Sequence, residues 1–188
     1  AVAGFLVVGG AALAVGYLSR KQLSKYFRYL GFHQNPLLIL TNVKEPSFDI
    51  GIVVDQNHKH MDKMENTHAA FVPYSDSGLS KAGYFAIFDG HGGSEVAELA
   101  SRYLHELLAK ELKTLKEKKI TSQQCFENAY ARMDEGVLMC KKEVGATAVT
   151  CVLQMEADDR IRLMAANVGD CRAVVCRAGQ ALRVTCDH

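Results

Sequence analysis

YFAIFDGHGGSEVAELASRYL, residues 84–104, contains the transition on which the reading of this chain turns. Residues 84–88 are a short, wholly apolar run, the pattern of a strand buried on both faces. Asp89-Gly90-His91-Gly92-Gly93 interrupts it. Val96, Ala97, Leu99, Ala100, Tyr103, Leu104, Leu107 and Leu108 then recur at helical spacing. Glu95 and Glu98 fall in the first turns of that helix and Lys110 and Lys113 near its end, as the helix dipole favours. A carboxylate at the end of a buried strand is held rigidly. The glycines beside it allow close backbone approach, so the Gly90 carbonyl can join Asp89 in an all-oxygen ligand set suited to Mg²⁺ or Mn²⁺. His91 would stand beside that set, placed for proton transfer. Taken alone, the pentapeptide also fits a tight strand-to-helix turn with capping polar residues.

The flanking sequence supplies the rest of an α+β pattern. FDIGIVV (48–54) reads as a strand, and His68 to Val72 resume one after a polar, irregular stretch. A second helix starts at Thr121-x-x-Gln124, a capping-box pattern, with Cys125, Phe126, Ala129, Tyr130, Met133 and Val137 as its apolar face. Residues 146–153 and 161–168 read as strands. AVVCR and ALRVT flank Ala178-Gly179-Gln180 as a hairpin. Strands, two helices, then strands predict an antiparallel β-sandwich flanked by helices.

The chain has 188 residues, 48% hydrophobic and 23% charged, which excludes a disordered or low-complexity polypeptide. A net charge of +1 gives no support to nucleic-acid binding. The charge is unevenly spread. Residues 1–18 carry none, whereas 19–35 hold Arg20, Lys21, Lys25 and Arg28 without an acid. Eighteen residues make about 27 Å of helix, close to the ~30 Å of a bilayer core, so 1–18 are expected to be a single transmembrane helix. The basic collar places the body on the positive-inside face. Residues 19–46 are expected to form a juxtamembrane amphipathic helix and connector, and 47–188 the body. The six cysteines match no zinc spacing and are expected to be small buried hydrophobes in a reducing compartment. A first residue other than Met, with an anchor close behind, suggests an organelle protein with a cleaved presequence, and the mitochondrial inner membrane is the expected location.

Residues 84–104 resemble the signature of the metal-dependent serine/threonine protein phosphatases of type 2C. Gly145-Ala146-Thr147-Ala148-Val149 resembles that family's small-residue strand. Ala166-Asn167-Val168-Gly169-Asp170-Cys171-Arg172 resembles its second hallmark, with Cys171 where Ser is usual. Leu182-Arg183-Val184-Thr185-Cys186-Asp187-His188 resembles its next strand and Asp-His pair. The resemblance runs from about Phe48 to the last residue. It implies a helix-flanked β-sandwich with two metal ions at one end, where Asp89 bridges both metals and Gly90 contributes its carbonyl. A metal-activated water would attack phosphoserine or phosphothreonine in line, and His91 would protonate the leaving alkoxide. Asp170 matches an aspartate linked to a further, weaker metal.

There are departures. The family's upstream Met-Glu-Asp-x-His motif reads Met64-Glu65-Asn66-Thr67-His68, so Glu65 keeps its carboxylate and Asn66 loses one. The arginine expected four residues before that glutamate is Met61, which removes a bidentate phosphate contact. Arg160, Arg162 and Lys63 are the candidate replacements. The family domain is also about twice as long as the matching stretch and carries two further ligand aspartates. These departures favour an impaired, membrane-anchored accessory or scaffold subunit, partnered by the membrane and other proteins, with Mg²⁺ or Mn²⁺ weakly held or not bound. The alternative is an active phosphatase acting on phosphoproteins, with its second half outside this sequence. Cys171-x₅-Arg177 matches a cysteine-phosphatase spacing, but the residues between contain no glycine and read as a strand. His58, His60 and His68 read as a solvated loop rather than a metal cluster.

Overall fold

The computed structural model describes residues 2–8, 11–16, 37–43, 48–54, 56, 62–138, 143–158 and 160–188. Ten strands are present among them: β1 (Val2–Val8), β2 (Ala11–Gly16), β3 (Leu37–Val43), β4 (Phe48–Val54), β5 (Thr67–Phe71), β6 (Ala82–His91), β7 (Gly145–Met155), β8 (Ile161–Val168), β9 (Arg172–Arg177) and β10 (Gln180–Arg183). Helices α1 (Glu95–Lys113), α2 (Leu115–Lys118) and α3 (Ser122–Val137) lie between β6 and β7. One sheet has the order β5-β6-β7-β8 and the other β10-β9-β1-β2-β4-β3, with every described pairing antiparallel.

The apolar run at 84–88 is explained by layers on both sides of β6. Tyr84, Ala86 and Phe88 point into a core shared with Ala97, Ala100, Leu104 and Leu108 of α1 and with Cys125, Phe126 and Ala129 of α3. Phe85 and Ile87 point the other way, against Ile50 and Ile52 of β4, Val149 and Cys151 of β7, and Ala173 of β9. Side chains alternate along a strand, so a strand between two apolar layers needs no polar face. Burying a Phe or Ile side chain contributes roughly 1.5–3 kcal/mol, so β6 is anchored from both faces. The sandwich expected from the element order is what forms, with the described helices on the outer face of the four-stranded sheet.

Several boundaries follow local chemistry. Thr121 caps α3 through a reciprocal capping box with Gln124, as the sequence predicts. Arg177 pairs with Gln180, leaving Ala178 and Gly179 as a two-residue turn with φ of 51° and 80°, the positive-φ hairpin turn. Glu111 of α1 is buried yet served from the neighbouring helices. It accepts hydrogen bonds from Asn128 (3.1 Å) and Arg132 (3.3 Å) and lies 3.7 Å from the Lys118 ammonium.

The amino-terminal expectation needs correction. Residues 2–8 and 11–16 form an antiparallel pair of strands inserted between β9 and β4, not a helix. Among the described residues no helix is long and apolar enough to cross a membrane. An uncharged run fits a buried strand as readily as a helix by periodicity alone, so partners decide. Here β4 and β9 offer backbone edges on either side. Val8 pairs with Ala11 at the end of the β1–β2 ladder. Residues 37–43, expected to be connector, are likewise a strand paired along β4. The basic collar and its amphipathic helix at 19–36, together with Met61, His58, His60 and Cys140, lie outside the described residues.

Candidate functional site

The four strands of the β5–β8 sheet bring the chemistry-bearing residues to one end. Thr67 pairs with Phe88, so Asn66 and Glu65 immediately precede the rung beside Asp89 and Gly90. Across β6, Asp89 pairs with Thr147, Gly90 with Ala146 and His91 with Gly145. Ala148 pairs with Val168, so the Gly169-Asp170 turn rises beside Thr147. Alternation puts Asp89 on the same face as Phe85 and Ile87, the face turned toward the second sheet.

The glycines in this region have distinct steric reasons. A Cβ on Gly90 would fall 2.5 Å from the Glu65 carbonyl oxygen and 2.9 Å from that of Gly93. Backbone from the loop before β5 therefore lies directly over the end of β6. Gly92 adopts φ +71° with its α-carbon against the Glu143 carbonyl, a position a side chain cannot occupy.

Asp89 sits in the field of its neighbours. Burial, then the charges of Asp170 and Glu65, push its carboxyl above the usual aspartate range, while His91 acts in the opposite direction. Three carboxylates and one imidazole predicted from the sequence thus come within electrostatic reach of one another. Asp89 and Glu65 are half-buried, and Asp170 and His91 are exposed. The His91 ring lies over the α-carbon of Gly145. His68 shares the sandwich-facing side of β5, and burial lowers its pKa and favours the neutral imidazole.

The structure does not bring every candidate here. Arg160 and Arg162 lie at the opposite end of the β7–β8 hairpin, where Met155 pairs with Ile161. Seven strand residues at roughly 3.3 Å each put them about 23 Å from the Asp89 rung. They are paired locally, Arg160 with Glu156 (3.2 Å) and Asp158 (2.6 Å), and Arg162 with Glu156 (2.7 Å). Lys63 is exposed, two residues from Glu65. Asp187 is engaged elsewhere. Arg172 donates to both its oxygens (3.0 and 2.6 Å) and Arg183 adds a further contact, which together hold its carboxyl below the usual range. A groove of about 760 Å³ between α3 and β8 is lined by Phe126, Tyr130 and Met164, with none of Asp89, Glu65 or His91.

Of the cysteines, Cys125, Cys151 and Cys171 are buried as expected, but Cys176 is half-buried and Cys186 exposed. Burial pushes the Cys151 and Cys171 thiols up to about 12, so both stay protonated at neutral pH and neither is a nucleophile. Cys171 has a role the sequence did not suggest: its sulfur lies 2.9 Å from the Thr147 hydroxyl. The Thr within the Ala146-Thr147-Ala148 run was the available signal, a polar residue between two small apolar ones.

Residues 50–188 match the protein phosphatase 2C family. The chain belongs to that family. It is 38% identical over 136 residues to probable protein phosphatase 2C 14 of Arabidopsis thaliana, covering 72% of this chain and 28% of that protein. It is 29% identical over 155 residues to protein phosphatase 2C homolog 1 of Saccharomyces cerevisiae, covering 76% and 54%. In structure it is similar to a C. elegans sex determining protein, with a TM-score of 0.57 at 22% identity over 89% of this chain and 41% of that one. The chain thus spans roughly a quarter to a half of the relatives it matches.

The 2C family is associated with Mg²⁺ or Mn²⁺, and the donors here are of the right chemical kind: hard carboxylate oxygens and a backbone carbonyl. Among the described residues no three His, Cys, Asp or Glu side chains converge as a closed metal cluster. One or two carboxylates with the remaining positions left to water is, however, a usual arrangement for Mg²⁺. The donor set fits a water-rich divalent site rather than a protein cage.

Proposed function

We propose that the site at the end of β6 serves a phosphatase that hydrolyses phosphoserine or phosphothreonine in proteins with the help of Mg²⁺ or Mn²⁺. The Glu65 backbone lying against Gly90, and the nearness of Asp170 and Glu65 that raises the Asp89 pKa, support this reading. Negative charge from Asp170 and Glu65 is concentrated around a half-buried aspartate. Such an arrangement is costly unless a cation offsets it. Asp89 and the Gly90 carbonyl would hold the ion, with Glu65 and Asp170 beside them. When bound, the ion supplies Lewis-acid polarisation of a phosphoryl oxygen and a water of lowered pKa. The rigid end of β6 orients Asp89, and the close approach of the Glu65 backbone to Gly90 fixes the loop before β5 against it. His91, exposed at the mouth, donates a proton to the departing serine or threonine oxygen.

A second reading, an impaired phosphatase retained as a binding subunit, is favoured by Asn66, which sits one residue before the Thr67–Phe88 rung and so beside Asp89. A neutral amide there lowers the negative charge available to a cation. Because the chain spans only part of its relatives, the ligands missing from these 188 residues do not weigh in that choice. Neither reading depends on a membrane tether. Phosphopeptide hydrolysis by the full-length protein with Mn²⁺ decides between them. Turnover lost in Asp89→Asn supports the enzyme. Absent turnover with retained phosphoprotein binding supports the binding subunit.

A further inference from the structure

Cys171 occupies a junction that neither the fold nor the proposed chemistry accounts for. It is fully buried just before β9, and it follows Asp170 directly in the chain. Its sulfur lies 2.9 Å from the Thr147 hydroxyl, and the Asp89 backbone is near enough to influence the thiol. Thr147 is the ladder partner of Asp89 on β7. The other branch of Thr147 packs beneath the turn that carries Asp170: a Cβ on Gly169, which has φ +74°, would fall 2.6 Å from the Thr147 Cγ2. Thr147 and Cys171 therefore adjoin both carboxylate-bearing positions, Asp89 through the ladder and Asp170 through a turn and a peptide bond.

We propose that Cys171, with Thr147, is a positioning residue that sets the distance between Asp89 and Asp170 and so the affinity of the site for a divalent cation. This rests on the divalent site proposed above. The physical reason is geometric. Two carboxylates that repel one another drift apart unless the strands carrying them are tied. Asp89 lies on β6, whereas Asp170 lies beyond the end of β8 in the turn that crosses to β9, so no ladder hydrogen bond joins the two directly. The Thr147–Cys171 contact ties that turn to β7, the ladder partner of β6. A thiol suits the task because its longer bonds reach across the gap. Neither residue needs to touch substrate or ion.

The test measures Mn²⁺ affinity by the paramagnetic signal of free Mn²⁺, and separately the melting temperature in EDTA, on the full-length protein. Four variants are compared: Thr147→Val, which keeps the shape and loses the hydroxyl; Cys171→Ala; Cys171→Ser; and Asp89→Asn. The expected result is a loss of Mn²⁺ affinity of about tenfold in Thr147→Val and Cys171→Ala, with partial recovery in Cys171→Ser, whose oxygen keeps an acceptor. The EDTA melting temperature of Thr147→Val should stay within a few degrees of wild type. Wild-type affinity in Thr147→Val and Cys171→Ala overturns the positioning role. So does an affinity loss that merely tracks the melting temperature across the set. Asp89→Asn separates the two levels. If it abolishes Mn²⁺ binding while the Thr147 and Cys171 variants bind normally, the site stands and the positioning role falls. If Asp89→Asn itself binds normally, the site reading and the positioning role fall together.

Discussion

Gly90→Ala probes the close approach that builds the candidate site. A methyl there would sit 2.5 Å from the Glu65 carbonyl oxygen and 2.9 Å from that of Gly93. Both are backbone atoms, so neither contact is relieved by rotating a side chain. The loop before β5 or the end of β6 must shift. Overpacking of this kind costs typically about 1–3 kcal/mol. For a chain of this size each kcal/mol corresponds to about 2–4 °C, so the melting temperature should fall by about 2–12 °C. The displaced segment carries Glu65, so Mn²⁺ affinity should fall as well. Gly136→Ala is the internal control. It lies in α3 with nothing within 4 Å of its would-be Cβ, and a helical glycine is less favourable than alanine by roughly 0.5–1 kcal/mol. That variant should melt about 1–4 °C higher with unchanged Mn²⁺ affinity. Thermal melts followed by circular dichroism, paired with Mn²⁺ titration, read both effects. A Gly90→Ala protein that melts with wild type and binds Mn²⁺ equally would refute the idea that this contact shapes the site.

Asp89→Asn should melt above wild type in EDTA at neutral pH. The folded-state pKa of Asp89 is raised, so its ionised form is disfavoured by folding, and that penalty grows as pH rises from the ordinary aspartate range through the raised value. The stabilisation should therefore be absent at acidic pH, and an Asp89→Asn protein less stable than wild type at pH 7 would contradict the sign. Gly145→Ala would place a methyl 2.8 Å from the His91 Cε1 and turn the ring out of place. Phosphopeptide turnover should drop by about 10²-fold with little change in melting, in keeping with loss of a positioned general acid. Glu111→Gln should cost only about 1 kcal/mol in a denaturant titration, because its Arg132 and Lys118 partners are 54% and 53% exposed and regain water.

The body of the fold was legible because its signals are local. The five apolar residues before Asp89, the helical spacing after Gly93 and the Thr121–Gln124 box each specify an element without reference to distant chain. Asp89, Glu65 and Asp170 were legible as a group only through family resemblance, since 24 and 81 residues separate the latter two from Asp89 and nothing local links them. The amino terminus was misread for a physical reason. An uncharged stretch lacks the polar alternation that distinguishes strand from helix, and the free edges of β4 and β9 that pair with it are formed by residues far along the chain. The role of Cys171 was hidden in the same way, because its partners Thr147 and Asp89 lie on other strands. Arg160 and Arg162 show the converse: they were candidate replacements for the family arginine absent at Met61, but hairpin register puts them at the other end of the sheet.

The most direct test is release of inorganic phosphate from a phosphothreonine peptide by the full-length protein, measured with Mn²⁺, with EDTA, and with Asp89→Asn. Mn²⁺-dependent release that EDTA abolishes and Asp89→Asn lacks is the predicted result. Release that continues undiminished in Asp89→Asn would contradict the assignment of this strand end as the catalytic site.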